Sequence, residues 1–178
     1  VSLAELLVVV SILGLIVSAT APALQQALDA FGDGVARVET QQGTRVALER
    51  LAHDIRAAGY GGGADAFAAV AVAEPSRIVL QSDVDGDGVI AANGETIAWR
   101  LAAGGVLRRD AGGGAQPIAN GIRALTLTYL DGHGAVTGAA PAVRAVHIEL
   151  VAEPTRPASA GARRIASALA TAVVLRNR

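Results

Sequence analysis

Residues 1–24, VSLAELLVVVSILGLIVSATAPAL, are apolar at almost every position, and Glu5 is their only charged side chain. At about 1.5 Å rise per residue, a helix of this length covers roughly 30–36 Å, enough to cross a bilayer. A buried core helix is the alternative, but so uniform a stretch would need protein on every side. The chain starts directly in this segment, with no basic region before it and no small-residue cleavage site after it. An intact secretory signal peptide is therefore not expected. From Leu24 the pattern becomes amphipathic. Leu48, Leu51 and Ile55 recur at helical spacing with Ala47, Ala52 and Ala58 beside them, whereas Arg45, Glu49, Arg50, Asp54 and Arg56 fall mostly outside that stripe. Pro22 removes a backbone donor and is expected to kink or locally open the helix. Gly32, Gly34 and Gly43 each weaken it by about 1 kcal/mol relative to Ala. The run Gly59-Tyr60-Gly61-Gly62-Gly63 should end it. The pattern predicts one long, bent helix over about residues 2–58.

Beyond Gly63 the period shortens to that of strands separated by turns. Strands are predicted at 76–82, 95–101, 105–110, 123–131, 143–152 and 166–177, with Gly-, Ala- and Pro-rich linkers at 132–142 and 153–165. In 143–152 the alternate set Arg144, Val146, Ile148, Leu150 and Ala152 reads as the buried face. The expected fold is α+β: a long bent N-terminal helix packed on an antiparallel β-sheet head. Its parts are an apolar helix segment (1–24), the amphipathic half of the same helix (25–58) and the head (59–178).

Composition narrows the chemistry. The chain has 178 residues, with 15 basic side chains, all Arg, against 16 acidic ones, for a net charge of -1. That balance excludes a strongly basic nucleic-acid binder, and no specific nucleic-acid partner is expected. Without Lys or Cys there is no Schiff-base or Walker lysine, disulfide, thiolate metal site or thiol nucleophile. His53, His133 and His147 are too scattered for a zinc site, and no Gly-x-Ser-x-Gly elbow occurs. An enzyme is the weakest reading. Trp99 and Tyr129 fall in predicted strands and read as core or groove packing. Net charge runs -2 over residues 1–60, -3 over 61–110 and +4 over 111–178. That asymmetry suits either head-to-tail contacts between copies or two solvated faces.

Glu5 is the most informative residue. An ionised carboxylate deep in an apolar helix costs at least about 2.5–3.5 kcal/mol on insertion scales, so a cation should meet it. The Val1 amine lies about one turn away in the same helix. Alternatively, the amine of a neighbouring copy is captured across a small axial offset, which would make Glu5 a register key for helix-on-helix assembly.

A second candidate lies in the head. Asp83-Val84-Asp85-Gly86-Asp87-Gly88-Val89 has the opening half of a calcium loop, in which alternate carboxylates converge and Gly88 allows a sharp turn. The Val89 carbonyl would be a further ligand. The twelfth loop position is Gly94 and the thirteenth Glu95, so the loop is not an EF-hand, although Glu95 could close a different site. Asp83, Asp85, Asp87, Val89 and Glu95 are therefore the candidate calcium ligands, with an ion-free acidic hairpin as the alternative.

The start Val1-Ser2-Leu3-Ala4-Glu5-Leu6-Leu7-Val8-Val9-Val10, with Gly14 and Pro22 further on, resembles mature type IV pilins and pseudopilins. The resemblance implies that a prepilin peptidase cleaves a leader before Val1 and that the new amine at Val1 is methylated. It also implies that Glu5 serves in assembly and that the stretch between Gly14 and Pro22 can lose helix in the filament. Val1 departs from the usual Phe. The segment from Gln41 to Tyr60, with Leu51-Ala52-His53-Asp54-Ile55-Arg56-Ala57-Ala58-Gly59-Tyr60, is similar to PilW-like minor pilins. The ending Val173-Val174-Leu175-Arg176-Asn177 resembles these and the J-type pseudopilins of type II secretion. Some relatives bind calcium in their heads.

The implied function is a structural subunit of a type IV pilus-like filament, a homopolymer or one shared with other pilins. It would be held in the bacterial inner membrane, handled by an assembly platform there, and then moved to the cell surface or a periplasmic pseudopilus. A type II secretion pseudopilin or a membrane-anchored, calcium-dependent binding or adhesion module is the alternative.

Overall fold

In a computed structural model the described residues are 2–62, 67–155 and 166–177. Val1 and residues 156–165 of the predicted second linker lie outside them. Helix α1 (Leu3–Ala57) is one unbroken helix of 55 residues, close to the predicted span. It passes Pro22 without interruption, so the expected local opening is absent. Its two halves differ in cover. The buried residues are Ala36, Thr44, Ala47, Leu48, Leu51, Ala52, Asp54 and Ile55, all in the second half. The predicted stripe is thus the face that meets the head.

The helix ends where the pattern placed the end, and the packing shows why glycine stands there. Gly59 has φ +80°, and a Cβ on it would lie 2.6 Å from the Asn177 carbonyl oxygen. Gly61 has φ +81°, and a Cβ there would run into the Asp83 carbonyl. Only a residue without a side chain fits such a conformation at such close range. The last helical carbonyls have no intrahelical partner. The Asn177 amide nitrogen meets them, 3.5 Å from the Arg56 oxygen and 3.3 Å from those of Ala57 and Ala58. The chain's last described residue therefore caps its first element.

The head is two antiparallel sheets, where the sequence pointed to one. Strands β1 (Val70–Glu74), β2 (Arg77–Gln81), β3 (Thr96–Ala102), β4 (Val106–Asp110) and β5 (Gln116–Ala119) form a five-stranded meander. Strands β6 (Ile122–Leu130), β7 (Ala145–Ala152) and β8 (Ser167–Val174) form a three-stranded one. The division falls at Asn120-Gly121. Gly121 turns the chain at φ +75°, so β6 leaves β5 and pairs with β7. Strands β1 and β5 were not predicted. Both are edge strands, and β5 carries Pro117, which is tolerated only where no ladder donor is needed.

Helix α1 packs on β7, β8 and β5. On β7 the buried residues are Val146, Ile148, Leu150 and Ala152, as the alternation required, but the phase breaks just before the strand, where Val143 is fully buried and Arg144 only half-buried. Trp99 and Tyr129 are both buried. The Tyr129 hydroxyl lies 2.7 Å from the Glu74 carbonyl and 3.2 Å from that of Arg77, joining the two sheets. Burial pushes the Tyr129 phenol well above its ordinary value, and the Glu74 charge adds to the effect.

Asp54 corrects the sequence reading. Its spacing puts it with the charges mostly outside the apolar stripe, yet its side chain is only 4% exposed. Trp99 and Arg109 stand directly opposite each other on β3 and β4, and both reach it. Trp99 Nε1 donates at 2.9 Å to Oδ2, and Arg109 Nε donates at 2.7 Å to the same oxygen. Arg50, one turn earlier on α1, lies 3.8 Å from Oδ1. Removing one partner of a buried ion pair strands the other. Asp54→Ala is expected to cost about 3–5 kcal/mol, and Asp54→Asn less, because an amide oxygen still accepts from Trp99. Denaturant unfolding of the detergent-solubilised chain measures both.

Candidate functional site

The apolar half of α1 is the first functional feature. Its most apolar 18-residue window has mean hydropathy 2.3, and none of that window is buried inside the chain. Among the described residues it is the one helix long and apolar enough to cross a membrane. Its few hydroxyls are turned inward. Ser11 Oγ donates to the Leu7 carbonyl at 2.7 Å, Ser18 Oγ to Leu15 at 2.9 Å, and Thr20 Oγ1 to Ile16 at 2.9 Å. Back-bonding of this kind hides the polar atoms from a surrounding apolar medium. Gly14 opens onto empty space, with nothing within 4 Å of an added Cβ.

Glu5 sits at the head of this segment. Val1, and with it the amine invoked for charge pairing, lies outside the described residues. Within them Glu5 belongs to a capping box that the sequence reading missed. The Ser2 backbone N–H donates to Glu5 Oε2 at 2.7 Å, and the Glu5 N–H donates to Ser2 Oγ at 3.3 Å. The signal was legible as Ser2-x-x-Glu5 before an apolar run. The cap satisfies two of the donors that a helix start leaves open. A carboxylate has about four acceptor positions, so the cap leaves room for a further donor on Glu5.

The acidic loop is the second feature. One carboxylate oxygen from each of Asp83, Asp85, Asp87 and Glu95 lies within 4.8 Å of all the others. Asp83 and Glu95 are buried and Asp85 and Asp87 exposed. Backbone amides organise the buried pair. Gly86 and Gly88 donate to Asp83 at 2.7 and 3.0 Å. Val84, Ala91 and Ala92 donate to Glu95 at 3.1, 2.9 and 2.7 Å. Val89 joins the loop through its N–H, which donates to Asp87 Oδ1 at 2.7 Å. The loop is fastened to the end of α1, because the Asp83 N–H donates to the Tyr60 carbonyl at 2.8 Å. Glu95, outside the EF-hand position, is thus brought into the cluster by the start of β3.

The four acids are not equivalent. The N–H groups of Ala92, then Ala91 and Val84, hold Glu95 below its ordinary range against the cost of burial. At Asp85 the Asp87 N–H pulls downward, but lost hydration and the charges of Asp87, Glu95 and Asp83 outweigh it, and the net shift is upward. These directions have opposite signs for stability. Glu95 contributes stability that is present above its ordinary value of 4.5 and lost as pH falls through its folded value. Asp85 opposes folding at neutral pH, and its penalty lifts as acid protonates it. Asp85→Asn should therefore raise the melting temperature near neutral pH in EDTA, and the gain should vanish in the acid range. Thermal scans across pH check both parts.

No protein-family profile matches the chain. No curated protein matches it either. Among solved structures it is similar to a type IV-like pilin from Thermus thermophilus, at 14% identity and a TM-score of 0.48. That likeness covers 77% of this chain and 97% of the other. No residue role carries over at that identity.

Proposed function

We propose that this chain is a structural subunit of a type IV pilus-like filament, assembled through α1 with Glu5 as its charge-pairing residue. The observation that carries the reading is the apolar half of α1, headed by Glu5, with no part of its most apolar window covered by the chain's own head. Lipid covers that surface before assembly and the helices of other copies cover it afterwards. Lipid tails and helix side chains are similarly apolar, so the transfer is nearly neutral in hydrophobic terms. Helix packing and a cation at Glu5 then decide the direction. That cation is the Val1 amine of a neighbouring copy, methylated after a prepilin peptidase has acted. Gly14 and Pro22 mark the stretch that loosens on assembly at an inner-membrane platform. The resemblance of residues 41–60 favours a PilW-like minor subunit, with a type II secretion pseudopilin next. Glu5→Ala should abolish filaments in sheared cell-surface material seen by electron microscopy. Unchanged filament yield would overturn the reading, and is what a simple membrane-anchored binding module predicts.

We propose in addition that the acidic loop takes calcium on Asp83, Asp85, Asp87 and Glu95, with the Val89 carbonyl completing the set. The convergence of four carboxylates favours this, since a hard cation relieves the repulsion felt at Asp85. Calcium titration of the whole chain should raise the melting temperature of the head, and Asp87→Asn should remove the rise. No shift up to millimolar calcium would rule the site out.

A further inference from the structure

Val46, Arg50 and Asp54 stand four residues apart and so run along one side of α1. The row passes from exposed to buried: Val46 is 62% exposed, the Arg50 side chain 56% and that of Asp54 4%. Beside it stands the hairpin between β4 and β5, and the two enclose a groove of about 640 Å³. That volume falls within the roughly 300–1,000 Å³ of small-molecule sites. Val46, Ala111, Pro117 and Ile118 give the groove apolar walls, and Arg50, Arg109 and Gln116 supply its polar side chains. The hairpin wall is held in place from within the head. Arg108 Nη1 donates to the Ala115 carbonyl at 2.8 Å, and the Gly94 N–H donates to the Ala111 carbonyl at 2.9 Å. An added Cβ at Gly113 or Gly114 would meet nothing within 4 Å, so the rim beside them is open.

The charge in this groove is unbalanced. Arg109 directs Nε at Asp54 Oδ2, at 2.7 Å, and Nη2 at Oδ1, at 3.5 Å. Its Nη1 has no partner among the described residues, and no buried side-chain nitrogen among them lacks one, so Nη1 reaches solvent. Arg50 approaches the same carboxylate only through Nε at 3.8 Å, outside hydrogen-bond range. Two guanidinium groups thus share one carboxylate, and the cluster keeps a single positive charge. Glu49 and Asp110, the acids next to these arginines in sequence, do not line the groove.

We infer that this groove binds an organic monocarboxylate, one carboxylate borne on a small aliphatic body. The planar guanidinium fork matches the two oxygens of a carboxylate, and one negative charge cancels what Asp54 leaves uncompensated. A phosphate dianion would overshoot it. The apolar walls meet the aliphatic part, and the Gln116 amide can donate or accept a further hydrogen bond. Pro117 lacks an N–H on the edge strand β5, which makes that edge a poor template for an added strand. A small group entering the groove therefore fits better than an extended chain laid along β5. The same chemistry has two sources, a free short-chain acid or the last residue of a peptide. The site lies in the head and the half of α1 packed on it, so the inference does not rest on the filament reading.

Isovalerate and N-acetylvaline, titrated with the whole chain in non-ionic detergent, test this through the line widths of their methyl resonances. Saturable broadening is expected, with about tenfold or greater loss of affinity for the matching amides, because a charge-assisted hydrogen bond gives way to a neutral one. Two variants at exposed positions leave the core alone. Arg50→Gln should weaken binding several-fold. Val46→Glu places a carboxylate one turn from Arg50 and should fill the site from within. Both should keep the melting temperature of the parent chain. Amides that bind as well as the acids overturn the inference, as does unchanged affinity in Arg50→Gln. So does an absence of saturation up to about 10 mM of either acid, or displacement of both acids by a lower concentration of inorganic phosphate. Isovalerate binding as tightly as N-acetylvaline supports the inference with a free acid as the source. N-acetylvaline binding alone supports it with a peptide end.

Discussion

The organising constraint is a helix whose first half has no cover within its own chain. Leu3, Leu6, Leu7, Val8, Val9, Val10, Ile12, Leu13, Leu15, Ile16 and Val17 are all more than half exposed. At about 25 cal/mol per Å² such a surface cannot remain in water as a stable state. Something apolar must take it, and its length suits a bilayer. What it can do is exchange one apolar surrounding for another. The inward bonds of Ser11, Ser18 and Thr20 keep that exchange from exposing unpaired hydroxyls.

A stalk of this kind transmits position only if the head is fixed to it, and three contacts do so. Asp54 ties the helix to the β3–β4 pair through Trp99 and Arg109. Asn177 holds the last helical carbonyls. Gly59 and Gly61 let the chain fold back so tightly that the acidic loop hangs from Tyr60. Fixing α1 in any surrounding thereby fixes the acidic loop as well. The cost of that rigidity is a set of positions that tolerate little change, and they lie at the other end of α1 from its apolar half.

Much of this was legible in the residues. The span of α1, the stripe at Leu48, Leu51 and Ile55 and the inward set on β7 follow from period alone, because burial there is continuous over several turns or pleats. The four-carboxylate cluster followed from spacing, Glu95 included. Asp54 did not, because periodicity assigns an isolated acid to water. Its burial depends on Trp99 and Arg109 arriving from strands 45 and 55 residues away. The division into two sheets also escaped, since it turns on a single positive-φ glycine at position 121 that resembles many others in a Gly-rich chain. Strands β1 and β5 are short edges whose pairing, not whose composition, makes them strands.

The proposed pairing of Glu5 bears on what kind of polymer α1 would build. A contact between Glu5 of one copy and the first residue of another requires an axial offset of about four residues, or roughly 6 Å. Such a contact is heterologous: each copy uses a different patch toward the neighbour above and the neighbour below, and the series does not close on itself unless a rotation forces a ring. Residues 1–24 are apolar at nearly every position, so packing alone leaves neighbouring offsets nearly equal in energy and a charged contact would select among them. A buried polar residue is best attested in this role, specifying register at some expense of stability.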